Sequence, residues 1–442
     1  MLQSGAGGPV DLPTITITPA SPGITIPLDF VGISFEHSYI TLQRFSPLNT
    51  VLANAIASFG ANFNVRIGGN TADTQIASNA RIDDMATFIA ARGCKLLYGL
   101  PGRIIPPSVT DADQAVVDAA LAARIAAIAG TANITYQIGN EPNFAGESYA
   151  TYAARWQTIH DAVVASVAAA KFAGCDDGTS TISRPTFLMQ FAPDKGSQVD
   201  YFTLHRYGGV NGQNDPSVTL GPLIANDQFV VDRGLIAATS MATKKMRVSE
   251  GGSLGGGAAT LDGQTLGATV WNMRLMALAA QAGWLGVNFH NPESALSGYA
   301  PLRDLGNGAG STNPGYVANP PYYAMKLFHT LVGGQVIPCK SPLGVGFTLG
   351  VLGADGKARV LVINPNLTTA LNLAIASGTA FTSATALMLT GNSYADRDGV
   401  TIGGAQMAAD GTTTPVAENV PVSGGLARLV LKAASSVVVS LT

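Results

Sequence analysis

The chain has 442 residues, of which 12% are charged and 47% hydrophobic, and its formal charge is −3. Such a composition belongs to a globular chain rather than a disordered one, and the length predicts two domains. The small negative charge excludes a global basic field that would draw the protein to nucleic acid or a polyanion, and no run of 18 apolar residues is present to span a bilayer.

The opening segment, Met1 to Pro9, lacks the basic and apolar regions of a signal peptide. The expected location is secreted or periplasmic, after removal of a leader that this sequence does not carry, and the Ala- and Gly-rich composition fits a bacterial source. Residues 14–18 then alternate as a strand, followed by the turn Ser21-Pro22-Gly23. Eight short apolar runs come next, at 31–35, 64–67, 95–100, 134–138, 171–174, 201–205, 246–249 and 286–289. Most are separated by helical patterns, clearest at 47–59, 112–129, 149–170 and 266–282, the last closed by Gly283. Residues 185–191 read as strand or helix; helix is assigned, because the fifth βα unit otherwise has none. Eight such units predict an α/β fold, a (β/α)8 barrel.

From Gly333 onward the helical period is lost. Strand runs at 346–351, 359–363, 371–375, 384–389, 427–431 and 436–440 are separated by Gly, Asn and Asp turns. They predict a β-sandwich, which the N-terminal strand is expected to join. The expected division is 1–26 with the sandwich, 27–331 as the barrel and 332–442 as the sandwich domain, with the boundary near 331–338. Cys94, Cys175 and Cys339 are widely spaced and form no CxxC or metal pattern. They read as buried small hydrophobes, with one disulfide as the alternative. No metal or organic cofactor is expected.

Chemistry concentrates at two strand ends. Gly139-Asn140-Glu141-Pro142 follows the run Ile134-Thr135-Tyr136-Gln137-Ile138, and Glu250 follows Lys245-Met246-Arg247-Val248-Ser249. Catalytic groups of barrels sit at the C-terminal ends of strands, and two carboxylates on separate strands are what a glycosidase needs. The competing readings are ordinary ones: an N-cap carboxylate for Glu141 and a loop acid at a helix start for Glu250.

With these residues in place the chain resembles the large clan of retaining (β/α)8 glycosidases that carry Asn-Glu on strand four and Glu on strand seven. Within it the sequence resembles glycoside hydrolase family 79, the β-glucuronidases and heparanases. The resemblance rests on Gly32-Ile33-Ser34-Phe35-Glu36, Arg66-Ile67-Gly68-Gly69-Asn70-Thr71, Leu97-Tyr98-Gly99-Leu100, Gln137-Ile138-Gly139-Asn140-Glu141-Pro142, Lys171-Phe172-Ala173-Gly174, His205-Arg206-Tyr207, Val287-Asn288-Phe289-His290 and Pro321-Tyr322-Tyr323. These run in family order over roughly residues 30–330. It implies that Glu141 is the acid/base, Glu250 the nucleophile, and Asn140 a contact of the sugar 2-OH. Tyr207 would orient Glu250, with barrel-mouth packing as its alternative, and Glu36 and Asn70 would bind the 3-OH and 4-OH, with a structural hydrogen-bond role as theirs. His205 and His290 close strands of the same site, where a core role competes with a functional one.

The resemblance also implies uronate recognition. Gly256 and Gly257 match the heparanase pattern for a backbone nest that receives the carboxylate, completed by Tyr299 in Ser-Gly-Tyr-Ala-Pro; the alternative is a Gly-rich surface loop. The expected activity is therefore a retaining endo-β-glucuronidase on heparan sulfate, with an exo-β-glucuronidase, a neutral-sugar glycosidase or a non-catalytic carbohydrate-binding barrel as alternatives. Sulfated sugars would be met by Arg103, Lys195, Arg206, Lys244 and Arg303, although each taken singly reads more readily as a solvated surface charge. Only 27 residues (68–94) separate Ile67 from Lys95. That leaves no room for the excised linker of animal heparanases, so a one-chain enzyme is expected, acting as a monomer.

Overall fold

The computed structural model describes residues 12–102, 110–179, 185–210, 215–225, 232–236, 245–255, 260–292, 298–306 and 315–442. Its centre is a parallel sheet of eight strands: β2 (Val31–Glu36), β3 (Asn64–Gly68), β4 (Lys95–Leu100), β5 (Ile134–Ile138), β6 (Ala173–Asp177), β7 (Tyr201–Val210), β8 (Met246–Gly255) and β9 (Gly286–Asn291). The strands are ordered β5-β4-β3-β2-β9-β8-β7-β6. The ring closes between β5 and β6, where Tyr136 bridges Phe172 and its N–H donates to the Lys171 carbonyl at 2.8 Å. Parallel neighbours require crossovers, and helices supply them at Thr50–Ala57, Asn79–Ala90, Asp111–Ala129, Tyr149–Ser166, Leu188–Lys195 and Leu266–Gln281. The barrel thus has the predicted architecture.

Two irregularities in the ring matter for the site. Pairing of β7 with β8 jumps from Leu204 opposite Val248 to His205 opposite Glu250, leaving Ser249 as an extra residue. Pairing of β6 with β7 likewise shifts between Cys175 and Asp177, where Asp176 takes a left-handed φ of 62°. A bulge of this kind re-aims side chains that strict alternation would send to the helices.

The second body is antiparallel apart from one pair. The strand β1 (Thr14–Ile17) lies between β13 (Cys339–Lys340) and β16 (Leu371–Ser377), parallel to the latter. The remaining strands are β12 (Gln335–Ile337), β14 (Phe347–Leu352), β15 (Ala358–Ile363), β17 (Ala384–Thr390), β18 (Thr401–Ile402), β19 (Glu418–Val420), β20 (Val422–Ser423), β21 (Leu426–Leu431) and β22 (Ser436–Leu441). They form sheets ordered β13-β1-β16-β21-β20 and β12-β14-β15-β22-β17-β18, with β19 paired to β17. Ile15, Ile17, Leu373, Ile375, Val360, Val362, Val437 and Val439 fill the space between the sheets. The other face of the larger sheet, through Leu349, Leu361, Ile363 and Val438, joins the barrel core. Helix Leu266–Gln281 lies in that seam, and only its last residue escapes burial. A helix covered on both sides needs apolar residues on more than one face, which explains its Ala, Leu, Met and Trp, with Thr269, Asn272 and Arg274 buried among them.

Several sequence boundaries need correction. The fifth barrel strand is Ala173–Asp177 rather than 171–174, and the helix expected at 185–191 is Leu188–Lys195, held at its start by Asp177, whose Oδ2 accepts from Phe187 N and Leu188 N at 2.9 Å. The helix expected at 47–59 is shorter, Thr50–Ala57, beginning where the Asn49 side chain accepts from Leu52 N. A hairpin of β10 (Leu302–Asp304) and β11 (Tyr316–Ala318) follows β9 and went unpredicted. The three cysteines are free.

Candidate active site

The C-terminal ends of the barrel strands carry one connected polar cluster, and its hub is Arg66. Arg66 is the one charged residue in the apolar run of β3, so its side chain points to the barrel interior, where it is fully buried. Its guanidinium spends its donors on five partners. Nη1 donates to Glu250 Oε2 at 2.6 Å and Ser34 Oγ at 2.9 Å, Nη2 to Asp176 Oδ2 at 2.6 Å and Asn140 Oδ1 at 2.9 Å, and Nε to Gln137 Oε1 at 3.0 Å. The planar fork of arginine suits such a junction of carboxylates; a lysine does not match it.

Glu250 lies within β8 just past the bulge at Ser249 and is buried. Besides Arg66, its carboxylate accepts from the Tyr207 hydroxyl at 2.6 Å on Oε1. His205 Nδ1 lies 3.6 Å from Oε1, and His290 Nδ1 lies 3.7 Å from Oε2. Burial opposes ionisation of Glu250, yet His205, His290, Arg66 and the Tyr207 hydroxyl together hold its carboxyl below the usual carboxylate range. This is the state a nucleophile needs.

Glu141 sits just past β5 in a left-handed conformation, φ 45° and ψ 54°, tied by its N–H to the Asp176 carbonyl at 3.2 Å. Such a backbone is costly for a residue other than glycine, asparagine or aspartate, and it marks functional positions more often than ordinary caps. The Glu141 side chain is 21% exposed against 8% for Glu250. Its Oε1 meets His205 Nδ1 at 2.9 Å. Glu141, His205 and Glu250 carry donor atoms that all lie within 4.8 Å of one another, so a Glu141 oxygen and a Glu250 oxygen are that close. A trio of this kind is near enough to grip a cation. Its chemistry is against one, because His205 has a carboxylate oxygen at both ring nitrogens and the Arg66 guanidinium 3.4 Å from Nε2. A ring protonated on both sides has no lone pair left for a metal.

A second carboxylate–histidine contact flanks the first. Glu36 Oε2 accepts from Thr71 N at 3.0 Å and Thr71 Oγ1 at 2.6 Å, and Oε1 lies 3.3 Å from His290 Nε2. Burial raises the Glu36 pKa, but His290 and Thr71 outweigh it and the net shift is downward. Asn140 Nδ2 donates to the exposed Asn70 at 3.1 Å, which links strands four and two at the mouth. Tyr299 stands with its ring centroid 5.5 Å from that of Tyr207 and 6.1 Å from that of His290. The glycines of β8 now have a reason: a Cβ on Gly252 would come within 3.1 Å of both tyrosine rings, and one on Gly255 within 2.9 Å of Tyr207.

Nine of the predicted residues therefore converge: Glu141, Glu250, Asn140, Tyr207, Tyr299, Glu36, Asn70, His205 and His290. Gly256 and Gly257 lie outside the described residues, as do Arg103 and Lys244. Two expected cleft cations are corrected. Arg206 alternates with His205 and Tyr207 on β7 and so points outward, where it is buried against Asp232 with Nε donating at 3.0 Å. Lys195 ends the helix that leads back to the start of β7, at the opposite end of the barrel, and bonds Gln157 Oε1 at 3.0 Å. Arg303 is on the β10–β11 hairpin.

Sequence reading missed Arg66, Asp176, Gln137, Ser34, Ser249 and Thr71 as site residues. Asp176 is the most consequential. It accepts from Gln137 Nε2 at 2.7 Å and Ser249 Oγ at 2.5 Å on Oδ1, while Oδ2 faces Arg66 at 2.6 Å and His205 Nε2 at 3.1 Å. Burial opposes its ionisation, and Arg66 with His205 overcomes that, holding the carboxyl well below the usual range. Burial equally opposes charge on His205, and Asp176 with Glu250 raises its pKa well above that of an ordinary imidazole.

The fold and site define a barrel-and-sandwich protein with a close pair of carboxylates at the mouth. No family model matches the sequence, and no curated protein matches it. Solved structures do. A rhamnosyl-β-D-glucuronidase from Fusarium oxysporum superposes with a TM-score of 0.72 at 18% identity over 96% of this chain and 100% of that one. A family 51 arabinofuranosidase from Xanthomonas axonopodis pv. citri gives 0.73 at 14% identity over 97% and 100% of the two chains. A β-xylosidase from Caulobacter crescentus gives 0.66 at 13% over 97% and 99%. At such identities the likeness establishes the fold, over the whole length of both domains. Among the described residues no helix is long and apolar enough to cross a membrane.

Proposed function

We propose that the chain is a retaining glycoside hydrolase that cleaves β-glucuronides by double displacement. The observation that carries this reading is the approach of Glu141 and Glu250, whose nearest oxygens lie within 4.8 Å. Retaining enzymes hold their carboxyls about 5–5.5 Å apart and inverting ones about 6.5–9.5 Å, where a water must fit between. In the first step Glu141 gives its proton to the glycosidic oxygen while a Glu250 oxygen attacks the anomeric carbon. The bond to the leaving alcohol breaks and a glycosyl ester of Glu250 forms. In the second step water attacks that carbon and passes a proton to the Glu141 carboxylate. The ester bond breaks, and Glu250 leaves as a carboxylate.

Uronate preference is supported by Tyr299 and Tyr207 packed against the end of β8, where the chain runs on into Gly256 and Gly257. It is supported too by the family 79 motifs of the sequence and by a glucuronidase among the structural neighbours. On the same motifs we infer internal cleavage of a heparan sulfate-like polymer. The second reading is an exo-β-glucuronidase, favoured by the loss of Arg206 and Lys195 from the expected basic cleft. The test is a size-exclusion time course of heparan sulfate digestion beside hydrolysis of p-nitrophenyl β-glucuronide. An early fall in mean chain length supports internal cleavage. Fast aryl-glucuronide turnover with chain length unchanged replaces it with exo action, and turnover of neither rejects the glucuronidase.

A further inference from the structure

Asp176 touches neither the open mouth of the site nor any position a sugar could reach, because its side chain is 1% exposed. The double displacement as written above has no use for it. Its surroundings are nevertheless elaborate. A bulge in β6, a left-handed backbone, Gln137, Ser249 and Arg66 all fix its Oδ1 and Oδ2, and Oδ2 is aimed at His205 Nε2. His205 is completely buried, and its other nitrogen points at Glu141.

The groups facing His205 come from four strands. Asp176 of β6 lies at 3.1 Å from Nε2, Glu141 past β5 at 2.9 Å and Glu250 of β8 at 3.6 Å from Nδ1, and Arg66 of β3 at 3.4 Å from Nε2. Asp177, next to Asp176, also faces His205 through space, its carboxyl pushed up to about 6 by burial. A ring with a carboxylate oxygen at each nitrogen needs a proton on each to satisfy both. Arg66 and His205 then face the carboxylates of Asp176 and Glu250, with the Glu36–His290 contact beside them. When Glu250 becomes an ester, one negative charge leaves this buried set. At that moment Glu141 has given up its proton and is the carboxylate that must activate water.

We propose that Asp176 is a positioning residue that keeps His205 doubly protonated, so that Nδ1–H is donated to the Glu141 carboxylate in the glycosyl-enzyme and the second displacement proceeds. This rests on the retaining glycosidase reading. A charge-assisted hydrogen bond is roughly twice as strong as a neutral one, so the device acts on the step in which Glu141 is charged. With Asp176→Asn, an amide N–H faces His205 Nε2 in place of a carboxylate, and the ring becomes a neutral donor.

The test uses the full-length protein and 2,4-dinitrophenyl β-glucuronide, whose leaving group needs no protonation. Asp176→Asn is expected to give an initial burst of dinitrophenol, a kcat lower by about tenfold or more, a KM lower in proportion, and kcat/KM within about threefold of wild type. Equal losses in kcat and kcat/KM without a burst overturn the proposal, since a general structural defect reads that way. Unchanged kinetics overturn it as well. Should the variant fail to fold, nuclear magnetic resonance of isotope-labelled histidine in the wild-type protein decides. Both His205 nitrogens are expected to be protonated from about pH 5 to pH 8, through the range where an ordinary imidazole titrates, and a neutral ring near neutrality overturns the proposal. The glycosidase reading fails separately: it is lost if wild type turns over neither this substrate nor the corresponding β-xyloside and α-arabinofuranoside.

Discussion

Arg66 Nη1 donates to Glu250 Oε2 at 2.6 Å with both side chains buried, so the proposed nucleophile is held by a cation that never reaches solvent. Arg66 serves Asp176 at the same distance through Nη2. Removing it strands two carboxylates in the barrel at once. Arg66→Met is expected to cost roughly 3–5 kcal/mol of stability, the range for breaking a buried ion pair from one side. Arg66→Lys should lose activity with a smaller loss of stability, because an ammonium cannot bridge both carboxylates in one plane. Urea denaturation of the two variants beside wild type checks the order.

The two carboxyls proposed as catalytic should fail differently. Glu250→Gln is expected to lower kcat by on the order of 10⁴ or more on every substrate, since no ester can form. Glu141→Ala should lower it by about 10²–10⁴ for poor leaving groups such as a sugar hydroxyl. It should spare the first step with dinitrophenol, which needs no proton. Steady-state rates on aryl glycosides of graded leaving-group acidity separate the two, and identical slopes for both variants would contradict the roles assigned.

Stability should depend on pH through Asp176 and His205, with opposite signs. The depressed Asp176 carboxyl contributes stability that is present above the unfolded carboxylate value, about 3.9, and is lost as pH falls through its folded value. The raised His205 contributes stability that is fully present below the unfolded imidazole value, about 6.5, and is lost as pH rises through its folded value. Asp176→Asn removes the first and weakens the second. The gap in melting temperature between wild type and Asp176→Asn is therefore expected to be widest between about pH 4.5 and 6.5 and to narrow on both sides. Comparing the two proteins cancels the buried His37 and His329, which burial pushes down to about 4 and which act in the other direction. A gap that keeps widening above neutrality would contradict the His205 assignment.

Gly69 has a φ of 75° and no room for a side chain. A Cβ there would lie 2.3–2.5 Å from the Glu36 carboxylate atoms. Gly69→Ala is expected to displace Glu36 and lower kcat/KM by about tenfold or more, while the Arg66 cluster stays intact. Kinetics of this variant beside Glu36→Gln should show matching defects.

The barrel was legible because its strands are buried on both faces and read as apolar runs broken by longer helical stretches. Glu141 and Glu250 were legible because each follows such a run. What escaped was whatever depends on irregular backbone. The fifth strand was cut at Gly174, so Asp176 fell into a loop, and only the register shift in β6 returns it to the barrel. Glu250 was expected at a regular strand end, whereas a bulge at Ser249 sets its direction. Arg66 was visible as a motif letter but not as a hub, because nothing in Val65-Arg66-Ile67 says how many partners the guanidinium meets. Arg206 and Lys195 left the expected basic cleft for a simpler reason: proximity to a barrel strand decides neither which face nor which end of the barrel a side chain takes. Arg206, one step from His205, takes the outer face.

The central claim is that Glu250 carries the sugar between the two displacements. Inactivation with an activated 2-deoxy-2-fluoro-β-glucuronide, followed by peptide mapping by mass spectrometry, tests it most directly. The account predicts one fluoroglucuronyl group per chain, attached to Glu250 and absent from Glu250→Gln. A label on any other residue, or turnover that proceeds with no labelled species, would contradict it.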